Sequence, residues 1–254
     1  MRYSRLLLAV AASVACGGST SPTASSSGTT TPTSSASDVP AVYKVFANSV
    51  TNGVTVKVDG STIVISSTGL PDHKSPYFGV GNAQYESYNG TNARFVINPN
   101  SIRSQQLVFR IPMTQSPLAT PSPTPLGPIG IAVNGVPIFN QYAANNQPLT
   151  NEADSFDQYG GHPQQSGMYH YHVEPSWLTR TSREAMVGVL LDGYPVYGPM
   201  ENGQLVSSAS LDAAHGHTGA TKEFPLGIYH YHTTADAPYI NGSGFHGSPG
   251  TVSQ

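Results

Sequence analysis

Charge is what this chain has least of. Eleven Lys+Arg and 14 Asp+Glu make up 10% of its 254 residues, against roughly 25% in an ordinary soluble domain. A formal charge of −3 leaves no basic patch, which argues against nucleic acid as a partner. A single cysteine, Cys16, excludes an internal disulfide and any Cys-built zinc or iron–sulfur centre. No apolar run reaches the roughly 20 residues of a membrane span. There is no glycine-rich phosphate loop, no Gly-x-Ser-x-Gly elbow and no Cys/His nucleophile pair. Carboxylates are few, and nothing picks out a glycosidase pair. Long helices are disfavoured as well, because 26 Gly and 21 Pro favour turns and strands. Against these shortages stands histidine, with nine residues, eight of them beyond position 160.

The first residues read as an address. Arg2 and Arg5 precede a short apolar run from Leu6 to Ala12, extended by Ser13-Val14-Ala15. The pattern is that of a secretory signal peptide, residues 1–15. Cys16 falls at the cleavage point, as in a bacterial lipoprotein, where it becomes the lipidated first residue. Ser13 stands where leucine is more usual, and an ordinary secreted protein is the alternative. Residues 16–40 then form a tether. Fourteen of the 21 residues from Gly17 to Ser37 are Ser or Thr, a composition that cannot bury enough surface to fold. As a random coil that segment spans about 25 Å. The expected location is the cell envelope, lipid-anchored through Cys16 and facing away from the cytoplasm.

The body, from residue 41, reads as all-β with few short helices, a β-sandwich-like domain whose C-terminal half is internally duplicated. In a β-rich part, 41–126, Val54–Val58 and Ser61–Ile65 flank Asp59-Gly60 as a hairpin. Arg94–Asn98 and Gln106–Ile111 read as further strands, and five prolines from Pro117 to Pro128 mark a loop or boundary. One helix is expected, Ser176–Ala185, opened by Pro175. Within 127–254, Asn134–Phe139 answers Asp192–Tyr197, and Asp157, Gly161 and His162 answer Asp212, Gly216 and His217. Gly167–His172 answers Gly227–His232. Three elements recurring in one order predict two similar β units about a pseudo-two-fold axis.

The chemistry, if there is any, lies in the histidines. On a strand, residues i and i+2 share a face. Tyr169-His170-Tyr171-His172 and Tyr229-His230-Tyr231-His232 therefore each present two imidazoles on one face and two phenols on the other. With His162 and His217, each unit offers three imidazoles: His162, His170, His172 and His217, His230, His232. Three imidazoles with an open position are the ligand set of a catalytic metal site. Zn, Cu, Fe and Ni all suit it. Asp157 and Asp212, five residues before His162 and His217, are candidates for ligand, orienting group or catalytic base. His73 and His215 are weaker metal candidates, and Glu174 weaker still. His73 and His246 stand alone in the sequence, so solvent-exposed roles are the default for both. The competing reading is a structural His/Tyr network, with side-chain groups satisfied by backbone. Whether the six histidines form two sites or share one on the dyad stays open.

The paired Tyr-His-Tyr-His motifs resemble the signature of the YHYH domain family. Further motifs match in order: Ile65–His73, Asn134-Gly135-Val136-Pro137, Gly160-Gly161-His162-Pro163, Leu191–Pro199 and Pro238-Tyr239-Ile240. The resemblance covers about residues 43–247. It implies an extracytoplasmic bacterial domain and gives His73 more weight. It implies no firm activity. Relatives often carry cysteines where this chain has Tyr159, Ala214 and Gly244, so disulfides that brace relatives are missing here. The expected function is a lipoprotein whose domain binds transition metal and acts as a metal-dependent hydrolase or oxidase. The alternative is an envelope binding or adhesion module for carbohydrate or protein.

Overall fold

The structure, a computed structural model, describes residues 39–40, 42–46 and 53–254. The signal run, Cys16 and nearly all of the Ser/Thr-rich tether lie outside the described residues. The strands in chain order are β1 (Thr55–Asp59), β2 (Thr62–Ser67), β3 (Leu107–Pro112) and β4 (Pro117–Ser122). Then come β5 (Pro128–Ala132), β6 (Pro137–Phe139), β7 (Tyr142–Ala143), β8 (Gln147–Pro148), β9 (Gly161–Pro163) and β10 (Tyr169–Tyr171). After a single turn of helix, α1 (Ser176–Thr179), follow β11 (Met186–Leu190), β12 (Pro195–Tyr197), β13 (Met200–Glu201) and β14 (Gln204–Leu205). The last are β15 (Gly216–Gly219), β16 (Ile228–His232), β17 (Phe245–Gly247) and β18 (Thr251–Ser253). The fold is β-dominated.

A four-stranded antiparallel sheet has the order β1-β2-β3-β18, so the chain's last strand closes against its first part. The expected hairpin is β1–β2. Leu107, Phe109 and Ile111 of β3 alternate inward while Arg110 points out, the period-two pattern of a half-buried strand. The larger sheet has eight strands in the order β15-β16-β12-β11-β5-β6-β10-β9. Its central strands β5 and β11 are buried along their whole length and carry Ile129, Ile131, Val187 and Val189 into one core shared with Ile63, Ile65 and Phe109 of the first sheet. Gly130 and Gly188 let these two strands meet. A Cβ on Gly130 would stand 2.5 Å from the Val189 carbonyl oxygen, and one on Gly188 2.3 Å from that of Ile131.

The eight-stranded order carries the same pairings outward from its centre in both directions. β5 pairs antiparallel with β6, β6 parallel with β10, and β10 antiparallel with β9. β11 pairs antiparallel with β12, β12 parallel with β16, and β16 antiparallel with β15. The histidine strands thus occupy the two ends of one sheet. β10 and β16 are five strand spacings apart, or about 24 Å along the sheet.

Three expectations are corrected. The helix stops at Thr179 rather than Ala185, because the carbonyls of Arg183 and Ala185 accept the Met200 and Gly198 N–H groups at the end of β12. Arg94–Asn98 is a loop and not a strand. Its Val96 N–H donates to the Asp154 carbonyl and its Asn98 N–H to the Tyr77 hydroxyl, leaving no ladder partner. The proline-rich segment does contain a strand, β4, which pairs with β17 alone, the edge position that proline tolerates.

Candidate metal centre

Each Tyr-His-Tyr-His strand divides its two faces as the alternation predicts. On the phenol side, the Tyr169 hydroxyl donates to Asp157, whose carboxylate also accepts from Ser75 Oγ at 2.6 Å and from the Tyr159 and Gly161 N–H groups. The Tyr171 hydroxyl lies 3.2 Å from Asn134 Nδ2 and 3.0 Å from His73 Nε2. At the other end of the sheet, the Tyr229 hydroxyl donates to Asp212 and that of Tyr231 to Asp192 at 2.7 Å. Asp157 and Asp212 each accept the N–H two residues on and the N–H of the glycine four residues on. They fix the turn that delivers His162 or His217. That glycine is required: a Cβ on Gly161 would meet the Tyr169 ring at 2.4 Å and one on Gly216 the His230 carbonyl at 2.4 Å.

These contacts place Asp157 and Asp212 on the tyrosines and turns, away from the imidazoles. His73 is buried, not exposed. Its ring lies 4.4 Å from that of Tyr159 and 5.8 Å from that of Trp177. His215 is buried too, at φ +78°, with Nε2 3.0 Å from Thr234 Oγ1. His246 stacks on Tyr229 at 3.5 Å. Glu174 pairs with Arg183 and accepts from Thr179. None of these four joins either imidazole cluster.

The imidazole side is different in kind. His162 Nε2 lies 3.1 Å from His170 Nε2, and His170 Nε2 lies 3.0 Å from His172 Nε2. The far nitrogens are all occupied. His170 Nδ1 meets the Met168 carbonyl at 3.0 Å, and His172 Nδ1 meets that of Asn140 at 2.6 Å. A carbonyl only accepts, so each of these Nδ1 atoms carries the ring proton and leaves Nε2 as a bare lone pair. His162 Nδ1 stands 2.7 Å from Ser155 Oγ, whose own proton goes to the Glu152 carbonyl, so it donates as well. Burial keeps a second proton off these rings. His162 is pushed down to about 3 and His172 to about 4, while His170 lies well below its ordinary value for the same reason.

The second cluster repeats this arrangement at two of its three rings. His230 Nδ1 meets the Ile228 carbonyl and His232 Nδ1 that of Gly198, at 3.0 and 2.8 Å. His232 Nε2 lies 3.1 Å from His217 Nε2, and His230 Nε2 is buried with no hydrogen-bond partner. Burial lowers His230 and takes His232 down to about 4.

Lone pairs so close repel unless a cation stands between them. Two nitrogens at about 2.0–2.1 Å from one ion are about 2.9 Å apart at a right angle and about 3.4 Å apart at the tetrahedral angle. The observed 3.0–3.1 Å lies within that range. Each cluster also has a carboxylate that sequence reasoning missed. Glu152 Oε1 is 3.4 Å from His162 Nε2, with its Oε2 buried and unpartnered. Glu201 places its two oxygens 3.5 Å from His217 Nε2 and His230 Nε2. In His162, His170 and His172, and in Glu201, His217, His230 and His232, the candidate ligand atoms all lie within 4.8 Å of one another. The two acids come from different places, Glu152 from a 3-10 turn before β9 and Glu201 from β13, so no repeated motif marks them. The donor set suits a transition metal. The tyrosine network is structural, as the competing reading expects of the phenol face of each strand.

No curated protein and no solved structure matches the chain. The family described as YHYH protein matches residues 108–205 and 200–245, more than half of the chain and both histidine strands, and the chain therefore belongs to the YHYH family.

Proposed function

We propose that this YHYH protein is a cell-envelope lipoprotein that holds two transition-metal ions, one in each cluster of three histidines and a carboxylate, and acts as a metal-dependent hydrolase or oxidase. The observation that carries the metal reading is the convergence of Nε2 atoms, with the Nδ1 protons of five of the six rings committed elsewhere. Backbone carbonyls orient four of the six rings, which fixes tautomer and direction before an ion arrives. Glu152 and Glu201 offset part of the ion's charge. Three imidazoles and one carboxylate leave room for a further ligand, and a metal so held supplies Lewis acidity toward bound water or substrate. Zn, Cu and Fe all suit the donors. The lipid anchor rests on Cys16, the only thiol, placed after a signal-like run and before a tether of low complexity.

Metal content of untagged protein tests the first part. About two equivalents per chain are expected, falling to one in His170→Ala/His172→Ala and to one in His230→Ala/His232→Ala. Substoichiometric metal in the parent, with no gain in stability on adding Zn, Cu or Fe, would sink the proposal. For the anchor, Cys16→Ala should move the protein from the membrane fraction to the soluble one. Retention of that variant in the membrane fraction would contradict it.

A further inference from the structure

The two clusters have nearly the same ligands and different walls. At the first, Phe139 stacks on His170 at 3.9 Å, and Phe156 packs on His162 at 4.9 Å and on His172 at 5.8 Å. His170 and His172 are as buried as His230 and His232, so the difference in exposure lies in the third ring, and the His162 side chain is 3% exposed. At the second, Tyr197 stands 58 residues on from Phe139, and Leu211 is the sequence counterpart of Phe156, one residue before its Asp as Phe156 is before Asp157. Tyr197 meets His230 edge-on at 5.2 Å, and its hydroxyl is held by Glu223 Oε2 at 2.9 Å and Thr221 Oγ1 at 2.7 Å. The His217 side chain is 32% exposed. A cleft of about 640 Å³, lined by Tyr197, Glu201, His230 and His232, opens on this cluster, whereas the hollow at the first, lined by Phe139, Glu152, His170 and His172, is about 300 Å³.

We infer that the second cluster is the reactive one, where a small molecule enters the cleft and coordinates the metal, while the first keeps its ion as part of the structure. This deepens the metal reading above and rests on it. The cleft also limits the occupant's charge. A divalent ion with Glu201, together with Glu184, Glu223 and Lys222 of the lining, gives formal charges that sum to zero. That balance favours a neutral molecule bearing a nitrogen or oxygen donor over an anionic one.

The test uses the full chain loaded with cobalt(II). Dipicolinate should remove one equivalent at least about tenfold faster than the other, and His230→Ala/His232→Ala should abolish the fast phase. Imidazole should perturb the visible spectrum of the fast-leaving cobalt only, at lower concentration than azide. A double substitution that installs the first site's walls, Tyr197→Phe/Leu211→Phe, keeps every ligand and should slow the fast phase severalfold. Two equivalents leaving at one rate, or a fast phase unchanged by those walls, would overturn this inference while leaving the two-metal reading intact. A stronger response to azide than to imidazole would overturn the assigned ligand class. Failure to take up cobalt at all would remove the metal reading and this inference with it.

Discussion

A histidine ring buried away from water is costly to protonate. His162 is held near about 3, and His172, His232 and His215 near about 4. Their folded values lie below the ordinary 6.5, so between the two the unfolded chain binds more protons. Stability from these rings is therefore full above about pH 6.5 and is lost as pH falls toward 4 and 3. For one buried ring moved from 6.5 to about 4 the loss approaches about 3 kcal/mol. Asp192, raised by burial to about 6, and Asp157 and Glu152, also raised by burial, work in the opposite sense as pH falls, but they are three groups against eight lowered rings. The urea midpoint of metal-free protein should fall steeply from pH 7 to pH 4. A flat profile over that range would mean that the rings are solvated and not buried as described.

At the scale of the element, the histidine strand is a two-sided device, with phenols anchoring one side and imidazoles converging on the other. The two anchors differ in depth. Asp157 is buried and accepts four hydrogen bonds, including those of Ser75 and Tyr169. Asp212 is exposed and fixes a similar turn at the surface. Asp157→Ala strands buried donors and should cost about 2–4 kcal/mol, whereas Asp212→Ala should cost about 1 kcal/mol or less. Thermal or urea unfolding of the two variants checks the order, and equal losses would contradict the assignment. This is also the scale at which the sequence was most legible. Alternation along Tyr169–His172 and Ile228–His232 places every ring on its side, because a strand's period leaves no freedom. Glu152 and Glu201 escaped because each reaches its cluster through long-range packing from a different element. The burial of His73 and His215 escaped for the same reason: their tyrosine and threonine partners, Tyr171 and Thr234, come from other segments.

Across the whole molecule, the eight-stranded sheet holds the clusters apart. About 24 Å of packed strand lies between β10 and β16, so the histidines form two separate clusters and not one shared on a dyad. Repeated sequence predicted two similar units, and the sheet carries matching pairings outward from β5 and β11. Sequence could not show that β18 would return to the first sheet, since that closure depends on a register set by Phe109 and Val252 far apart in the chain. Among the described residues no helix is long and apolar enough to cross a membrane, and the proposed attachment lies with Cys16. The most direct test of the central claim is an anomalous difference map from crystals of the metal-loaded full chain, recorded at the metal's absorption edge. The account predicts two peaks, one among His162, His170, His172 and Glu152 and one among His217, His230, His232 and Glu201. Metal-loaded crystals with no peak at either cluster would contradict it.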